Sequence, residues 1–159
     1  MAMVLIDGTN LLWAAKESSG DQEITTEVQL CEYLDRYFAQ MGEDGGIVFD
    51  GAGPTDKSVF DNVMHMEIYF SGFNKDADTV IEEKILAWTS PRDLTVVSSD
   101  RRLRVAATNH GGAALKSELF LDQVHKELSR QKRRRQEPDE KRSGLTEGET
   151  DKWLDVFGL

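Results

Sequence analysis

The stretch Met3-Val4-Leu5-Ile6-Asp7-Gly8-Thr9-Asn10 joins a short apolar run to an acidic residue and a glycine. An apolar run of this length that ends in Asp-Gly is typical of a buried parallel strand followed by a tight turn. A helix is expected to begin in the residues that follow, close to Asn10. The stretch therefore predicts a strand, a turn and a helix in that order, with Asp7 at the carboxyl end of the strand.

The same order recurs along the chain, because short apolar segments alternate with segments whose apolar residues are three and four positions apart. The glycines of segment 42–46 are expected to form the turn after the second helix. The predicted strands are 3–6, 47–49, 67–70, 94–97 and 113–115, and the predicted helices begin at 10 and cover 24–41, 76–88, 100–109 and 117–130. This pattern predicts an α/β fold of three layers, with helices on both faces of a central, mostly parallel sheet.

The composition is typical of one soluble globular domain: 159 residues, of which 39% are hydrophobic and 30% are charged. No apolar run approaches the roughly 20 residues of a membrane span, and the first residues carry no export signal. We therefore expect a cytoplasmic protein with no membrane partner, of undetermined oligomeric state. The single cysteine, Cys31, excludes an intramolecular disulfide and a cysteine-rich zinc site, and its place on an apolar helix stripe indicates a core residue.

The net charge of −10 is unevenly distributed. Residues 1–124 hold 10 Lys and Arg against 21 Asp and Glu, whereas residues 125–159 hold 9 against 8. The second segment includes Lys132, Arg133, Arg134 and Arg135, and a local cationic run attracts a polyanion more than net charge repels it. The run is either a phosphate-binding segment or a solvated helix end, and the sequence leaves both open.

Four aspartates, Asp7, Asp50, Asp78 and Asp100, lie at or just beyond the exits of predicted strands. The carboxyl ends of parallel strands open onto one edge of a sheet, so these side chains are expected to converge there. Clustered carboxylates repel one another, and a bound divalent cation such as Mg²⁺ or Mn²⁺ usually offsets this repulsion. Each aspartate taken alone could equally be the N-cap of a helix; the four together favour a metal site.

A second acidic pair reinforces this prediction. Asp78 and Glu82 are four residues apart on one predicted helix, so they share a face and could reach one ion or one water molecule. Asp76 adds an acid nearby, although acids in a first helical turn are also common for electrostatic reasons. Phosphatase-like transfer through Asp7 is a weaker alternative, because that chemistry needs a second aspartate where this chain has Leu5.

Three segments taken together resemble the YacP type of the NYN branch of PIN-like nucleases: Val-Leu-Ile-Asp7-Gly-Thr-Asn10, Phe-Ser71-Gly72 followed by Ala77-Asp78-Thr-Val-Ile-Glu82, and Val-Val-Ser-Ser99-Asp100-Arg101. The resemblance covers about residues 3–130. It implies a PIN-like α/β/α fold and metal-dependent endoribonuclease activity, with Asp7, Asp78 and Asp100 at the acidic positions of the family. Some YacP-type proteins act on messenger RNA at the ribosome, which would give the basic run a role.

These observations predict a nuclease domain over 1–130, a polar linker over 131–145 and a short C-terminal helix over 146–159. In the predicted site Asp7, Asp78 and Asp100 are metal ligands, Asp50 is a further candidate, and Glu82 is a ligand or water-orienting base. Asn10, Ser99, Arg101 and the run Lys132, Arg133, Arg134 and Arg135 are predicted to contact RNA. The alternative function is a non-catalytic RNA-binding or ribosome-binding module with the same fold.

Overall fold

The computed structural model describes residues 2–18 and 23–136, and these residues include five strands and five α-helices. The chain divides into two compact units, Met1–Lys126 and Glu127–Leu159. The strands are β1 (Met3–Asp7), β2 (Asp44–Phe49), β3 (Met66–Phe70), β4 (Leu94–Val97) and β5 (Ala113–Leu115). The helices are α1 (Gly8–Glu17), α2 (Glu27–Met41), α3 (Ala77–Ala87), α4 (Arg101–Asn109) and α5 (Ser117–Gln136).

The five strands form one parallel sheet in the order β3-β2-β1-β4-β5. From β1 the chain builds β2 and β3 on one side and then returns to place β4 on the other side of β1. This reversal makes the gap between β1 and β4 the topological switch point, where ligand sites of open α/β sheets occur. The predicted α/β fold with a parallel central sheet is confirmed, and Asp7 lies at the end of its central strand.

Apolar side chains cover both faces of the sheet. On one face, Leu5 and Val96 pack with Ile81 of α3 and Leu103 of α4 in a single buried cluster. On the other face, the ring of Phe38 from α2 lies over Gly45 and stacks with Phe120 of α5. The alternation of strand side chains between these two layers explains the nearly continuous apolar runs of the strands.

Cys31 lies in α2 and is completely buried, as its position on the apolar stripe predicted. Burial raises the pKa of its thiol to about 12, so the side chain is an inert core residue. In the described part of the chain, no helix is both long enough and apolar enough to cross a membrane.

The prediction that segment 42–46 is a turn was wrong at its second half. Gly42, with φ +65°, ends α2, but β2 already begins at Asp44 and includes Gly45 and Gly46. A Cβ on Gly45 would lie 2.5 Å from the Phe38 ring, and one on Gly46 would lie 2.9 Å from the Met3 side chain. These glycines are therefore strand residues that allow close packing, a tertiary requirement that resembles a turn signal in the sequence.

Helix α5 is longer than predicted. It continues past residue 130 to Gln136, so the first part of the predicted linker, including the basic run, is helical. Residues 117–136 contain neither proline nor glycine, Arg, Lys and Gln are good helix formers, and cations near a helix C-terminus interact favourably with its dipole. The rest of the predicted linker and the C-terminal helix over 146–159 lie outside the described residues.

Candidate active site at the carboxyl edge of the sheet

Asp7 is the buried centre of the acidic edge. It ends β1 and caps α1, with Oδ1 accepting a hydrogen bond from the Asn10 amide at 3.3 Å. Its Oδ2 accepts a second bond from Ser98 Oγ at 3.0 Å. Burial raises the pKa of Asp7, these two bonds lower it, and the charges of Asp50 and Asp100 raise it further. Asp7 is thus both an N-cap and part of a cluster of carboxylates.

Ser98 joins the exits of β1 and β4, a role that was not predicted from the sequence. Its side chain is fully buried, donates to Asp7, and accepts from the Asp100 amide at 3.0 Å. Arg104 Nη1 donates to the Ser98 carbonyl at 3.1 Å. The sequence did offer one indication of this role, because Ser98 is a small hydroxyl residue between the end of a buried strand and an N-cap aspartate.

Asp78 and Asp100 complete the cluster from two different helices. Asp78 lies in the first turn of α3, and Asp100 caps α4 through the Arg102 amide at 2.9 Å. Burial raises the pKa of Asp78 to about 6, together with the charge of Asp7 and a hydrogen bond and the charge from Asp100. The structure therefore brings Asp7, Asp78 and Asp100 together at the switch point.

Asp50 lies beside these acids but is held by the backbone. Its amide donates to Thr9 Oγ1 at 2.9 Å, and its Oδ1 accepts from the Ala77 amide at 2.6 Å. The side chain thus ties the exit of β2 to the start of α3. Because one carboxylate oxygen already caps a helix, Asp50 presents fewer free lone pairs than its charge suggests.

Glu82 and Asp76 lie at the edge of the cluster. Glu82 Oε2 is 3.7 Å from Arg102 Nε in a partly exposed ion pair. Asp76 is the N-cap of α3, and its hydrogen bonds from Thr79 lower its pKa. Asp76 therefore has the capping role that the sequence allowed, and its charge also contributes to the raised pKa of Asp78.

Two of the predicted RNA contacts make structural hydrogen bonds. Asn10 Oδ1 accepts from the Ser99 amide at 3.0 Å and from Ser117 Oγ at 2.9 Å. Ser99 Oγ donates to Glu118 Oε1 at 3.0 Å. These bonds connect the exits of β1 and β4 to the first turn of α5, and sequence reasoning missed both α5 residues.

The predicted cationic contacts are exposed. Arg101 occupies the first position of α4, at the same edge as the acids. Lys132, Arg133, Arg134 and Arg135 are exposed on the part of α5 that belongs to the second unit, where Arg130 pairs with Glu127 at 2.6 Å.

The donor chemistry of the cluster suits a hard divalent cation. Asp7, Asp78 and Asp100 supply carboxylate oxygens, the ligands that Mg²⁺ takes in phosphate-processing sites. Within residues 2–18 and 23–136, no group of three or more His, Cys, Asp and Glu side chains is arranged so that it could hold a metal ion. Burial and the charges of Asp7 and Asp100 raise the pKa of Asp78, and a cation bound beside these carboxylates would offset their repulsion.

Comparison with known proteins gives a family for the whole chain. Residues 4–156 match the family model of the YacP-like NYN domain, which extends well beyond residue 130, where the resemblance in the sequence ended. A crystal structure of Rae1 (YacP) from Bacillus subtilis is 23% identical, with a TM-score of 0.65, and the alignment covers 99% of this chain and 93% of that one. A mutant of the same protein is 22% identical, with a TM-score of 0.63 over 84% of this chain and 81% of that one.

The search of curated proteins found no match. The two structural matches show the shared fold, and the family match covers nearly the entire chain. Such membership supports a nuclease or RNA-related function. The chain belongs to the YacP-like NYN domain family, within the PIN-like nuclease superfamily.

Proposed function

We propose that this protein is a divalent-metal-dependent endoribonuclease that hydrolyses RNA phosphodiester bonds. The observation that carries the proposal is the convergence of Asp7, Asp78 and Asp100 at the switch point between β1 and β4. Family membership supports the nuclease class, and the carboxylates supply a chemistry suited to that class.

In this proposal Asp7, Asp78 and Asp100 hold Mg²⁺ or Mn²⁺, which when bound neutralises phosphate charge and lowers the pKa of water. Asp7 is the preorganised ligand, because Ser98 and the Asn10 amide fix its two oxygens. Asp78 and Asp100 come from separate helices, and the cation would offset the repulsion between their carboxylates. Glu82 orients the attacking water or acts as a further ligand after releasing Arg102.

On the substrate side, Arg101 and the exposed basic residues of α5 bind phosphates. Asn10 and Ser99 are proposed to hold the edge that the RNA strand contacts, since their side chains connect β1, β4 and α5. Action on messenger RNA at the ribosome is the finer form of the proposal. It rests on the resemblance to YacP-type proteins and on the basic run.

The first test is cleavage. The full-length protein is incubated with single-stranded and structured RNA in Mg²⁺, in Mn²⁺ and in a chelator, beside Asp7→Asn and the control Glu83→Gln. Glu83 is an exposed acid of α3 that pairs with Lys75 at 2.9 Å, so its loss removes a charge without touching the cluster. Cleavage in metal that is lost only in Asp7→Asn is expected; undiminished cleavage by Asp7→Asn would exclude this active site.

The second test separates metal binding from turnover. Mg²⁺ or Mn²⁺ should raise the melting temperature of the wild type through binding to the folded state, with little gain for Asp7→Asn or Asp78→Asn. Equal gains in all three proteins would contradict a shared site. RNA binding without cleavage under every metal would instead identify a non-catalytic module.

A further inference from the structure

Phe73 is the most exposed large apolar side chain in the described part of the chain, with 92% of its surface accessible. It follows β3 in the loop that leads to α3, on the carboxyl side of the sheet. An exposed aromatic ring gains nothing for folding, since it buries almost no apolar surface. What the ring can bind therefore depends on how close it lies to the acidic cluster.

The loop that carries Phe73 is anchored at both ends. On the strand side, the Gly72 amide donates to the Gly51 carbonyl at 2.9 Å, and Ser71 Oγ accepts from the Gly51 amide at 3.1 Å. On the helix side, Asp50 accepts from the Ala77 amide at 2.6 Å. Phe73 is thus presented by a four-residue segment between two fixed points.

The proposed active site is within reach of this segment. Phe73 is five residues before Asp78, and five residues span at most about 17 Å even when fully extended. A nucleic-acid strand whose phosphate lies at the carboxylates can therefore reach Phe73 within a few nucleotides.

We propose that Phe73 is a stacking platform for an unpaired base of the RNA strand, close to the cleaved phosphate. This inference rests on the proposed function and specifies its substrate: the RNA must be single-stranded where it passes the loop between β3 and α3. Every base has a π face that can stack on an aromatic ring, whereas a base inside a duplex has both faces covered. The contact therefore distinguishes single-stranded from double-stranded RNA but does not distinguish one base from another.

The test measures RNA affinity of the full-length protein in Ca²⁺ and cleavage in Mg²⁺ or Mn²⁺. The probes are a single-stranded RNA oligonucleotide, the same strand in a duplex, and a set in which each nucleotide in turn lacks its base. Phe73→Ala should weaken binding of the single strand about fivefold or more, with KM raised and kcat near the wild-type value. Phe73→Trp should bind at least as well as the wild type, and Leu86→Ala, an exposed apolar control on α3, should change nothing.

The decisive comparison is the base scan. One abasic position should lower the affinity of the wild type, and at that position Phe73→Ala should have no further effect; duplex binding should be equal in both proteins. The inference would be overturned if Phe73→Ala lost the same affinity on every RNA probe or lost none on any probe. It would also be overturned if the wild type did not bind RNA. If Phe73→Ala lost RNA affinity in a base-dependent way but the wild type cleaved RNA in no metal, the stacking role would stand and the nuclease proposal would be rejected. If the wild type cleaved RNA and Phe73→Ala cleaved it equally well, the nuclease proposal would stand and the stacking role would be rejected.

Discussion

The acidic edge of the first unit and the basic end of α5 differ in charge and in how their side chains are held. At the acidic edge Asp7 is buried and accepts a hydrogen bond from Ser98 Oγ, which in turn accepts one from the Asp100 amide. On α5, Lys132 to Arg135 are exposed to solvent. Buried, hydrogen-bonded groups suit chemistry, which depends on geometry, while exposed cations suit non-specific attraction of a polyanion. We therefore expect the two regions to control turnover and affinity separately.

The largest effect should come from the acidic edge. Asp78→Asn should lower kcat for RNA roughly a thousandfold, since a lost metal ligand removes several kcal/mol of charge stabilisation in the transition state. RNA affinity should change little. Single-turnover cleavage and binding measured in parallel would show this, with Glu83→Gln as the control on the same helix. If Asp78→Asn lost affinity and kept kcat, the proposed separation of roles would be wrong.

Two adjacent serines provide the next test. Ser98→Ala should lower the free energy of unfolding by about 1–3 kcal/mol, because the buried Asp7 carboxylate and the Asp100 amide would each lose a partner. Ser99→Ala removes only a bond to the exposed Glu118 and should cost less than about 0.5 kcal/mol. Urea denaturation measures both. Similar costs for the two variants would mean that burial of Ser98 does not organise the edge.

The basic end of α5 should affect binding alone. Replacing Lys132, Arg133, Arg134 and Arg135 with Ala should weaken RNA binding roughly tenfold at low salt and reduce the slope of log K against log salt by up to about 3 for a single strand. The kcat at saturating RNA should stay near the wild-type value. An unchanged salt slope would show that the run is a solvated helix end and would shift the RNA path to Arg101, Arg102 and Arg104.

The smallest effect concerns pH. Burial and neighbouring carboxylates raise the pKa of Asp78 to about 6, above its ordinary value of 3.8. A carboxyl that binds its proton more tightly when folded favours folding at low pH, so the metal-free protein should lose stability as pH rises from about 4 to 6 and level off above that. Asp78→Asn should reduce this fall, to which the raised pKa of Asp7 also contributes. After allowance for solvent screening, the substitution should raise the free energy of unfolding by up to about 1 kcal/mol at neutral pH.

Melting temperature in a chelator across this pH range measures the effect, and roughly 2–4 °C would correspond to 1 kcal/mol in a protein of this size. Glu83→Gln should follow the wild-type curve. If the curves of melting temperature against pH ran parallel for the wild type and Asp78→Asn, the raised pKa of Asp78 would be excluded as a cause of the loss of stability.

Much of the site could be predicted because its signals are local. Asp7, Asp78 and Asp100 each follow an apolar run or open a helix, so their place at strand exits is visible in the chain itself. The parts that were missed depend on distant contacts. The Ser98 hydroxyl meets a carboxylate 91 residues away, and Asn10 bonds Ser117 at a separation of 107. No pattern within a window of sequence reports such a pair.

The sequence by itself determined the order of strands and helices, the acids at strand exits and the charge difference between the two ends of the chain, since all three follow from residue type and periodicity. The tertiary structure alone decided that β4 returns beside β1, that Asp50 accepts a hydrogen bond from the first amide of α3, and that Gly45 lies under a ring of α2. It also decided that burial and the charges of Asp7 and Asp100 raise the pKa of Asp78. These features depend on which elements pack together, and packing is settled by burial and side-chain contacts between residues far apart in the chain.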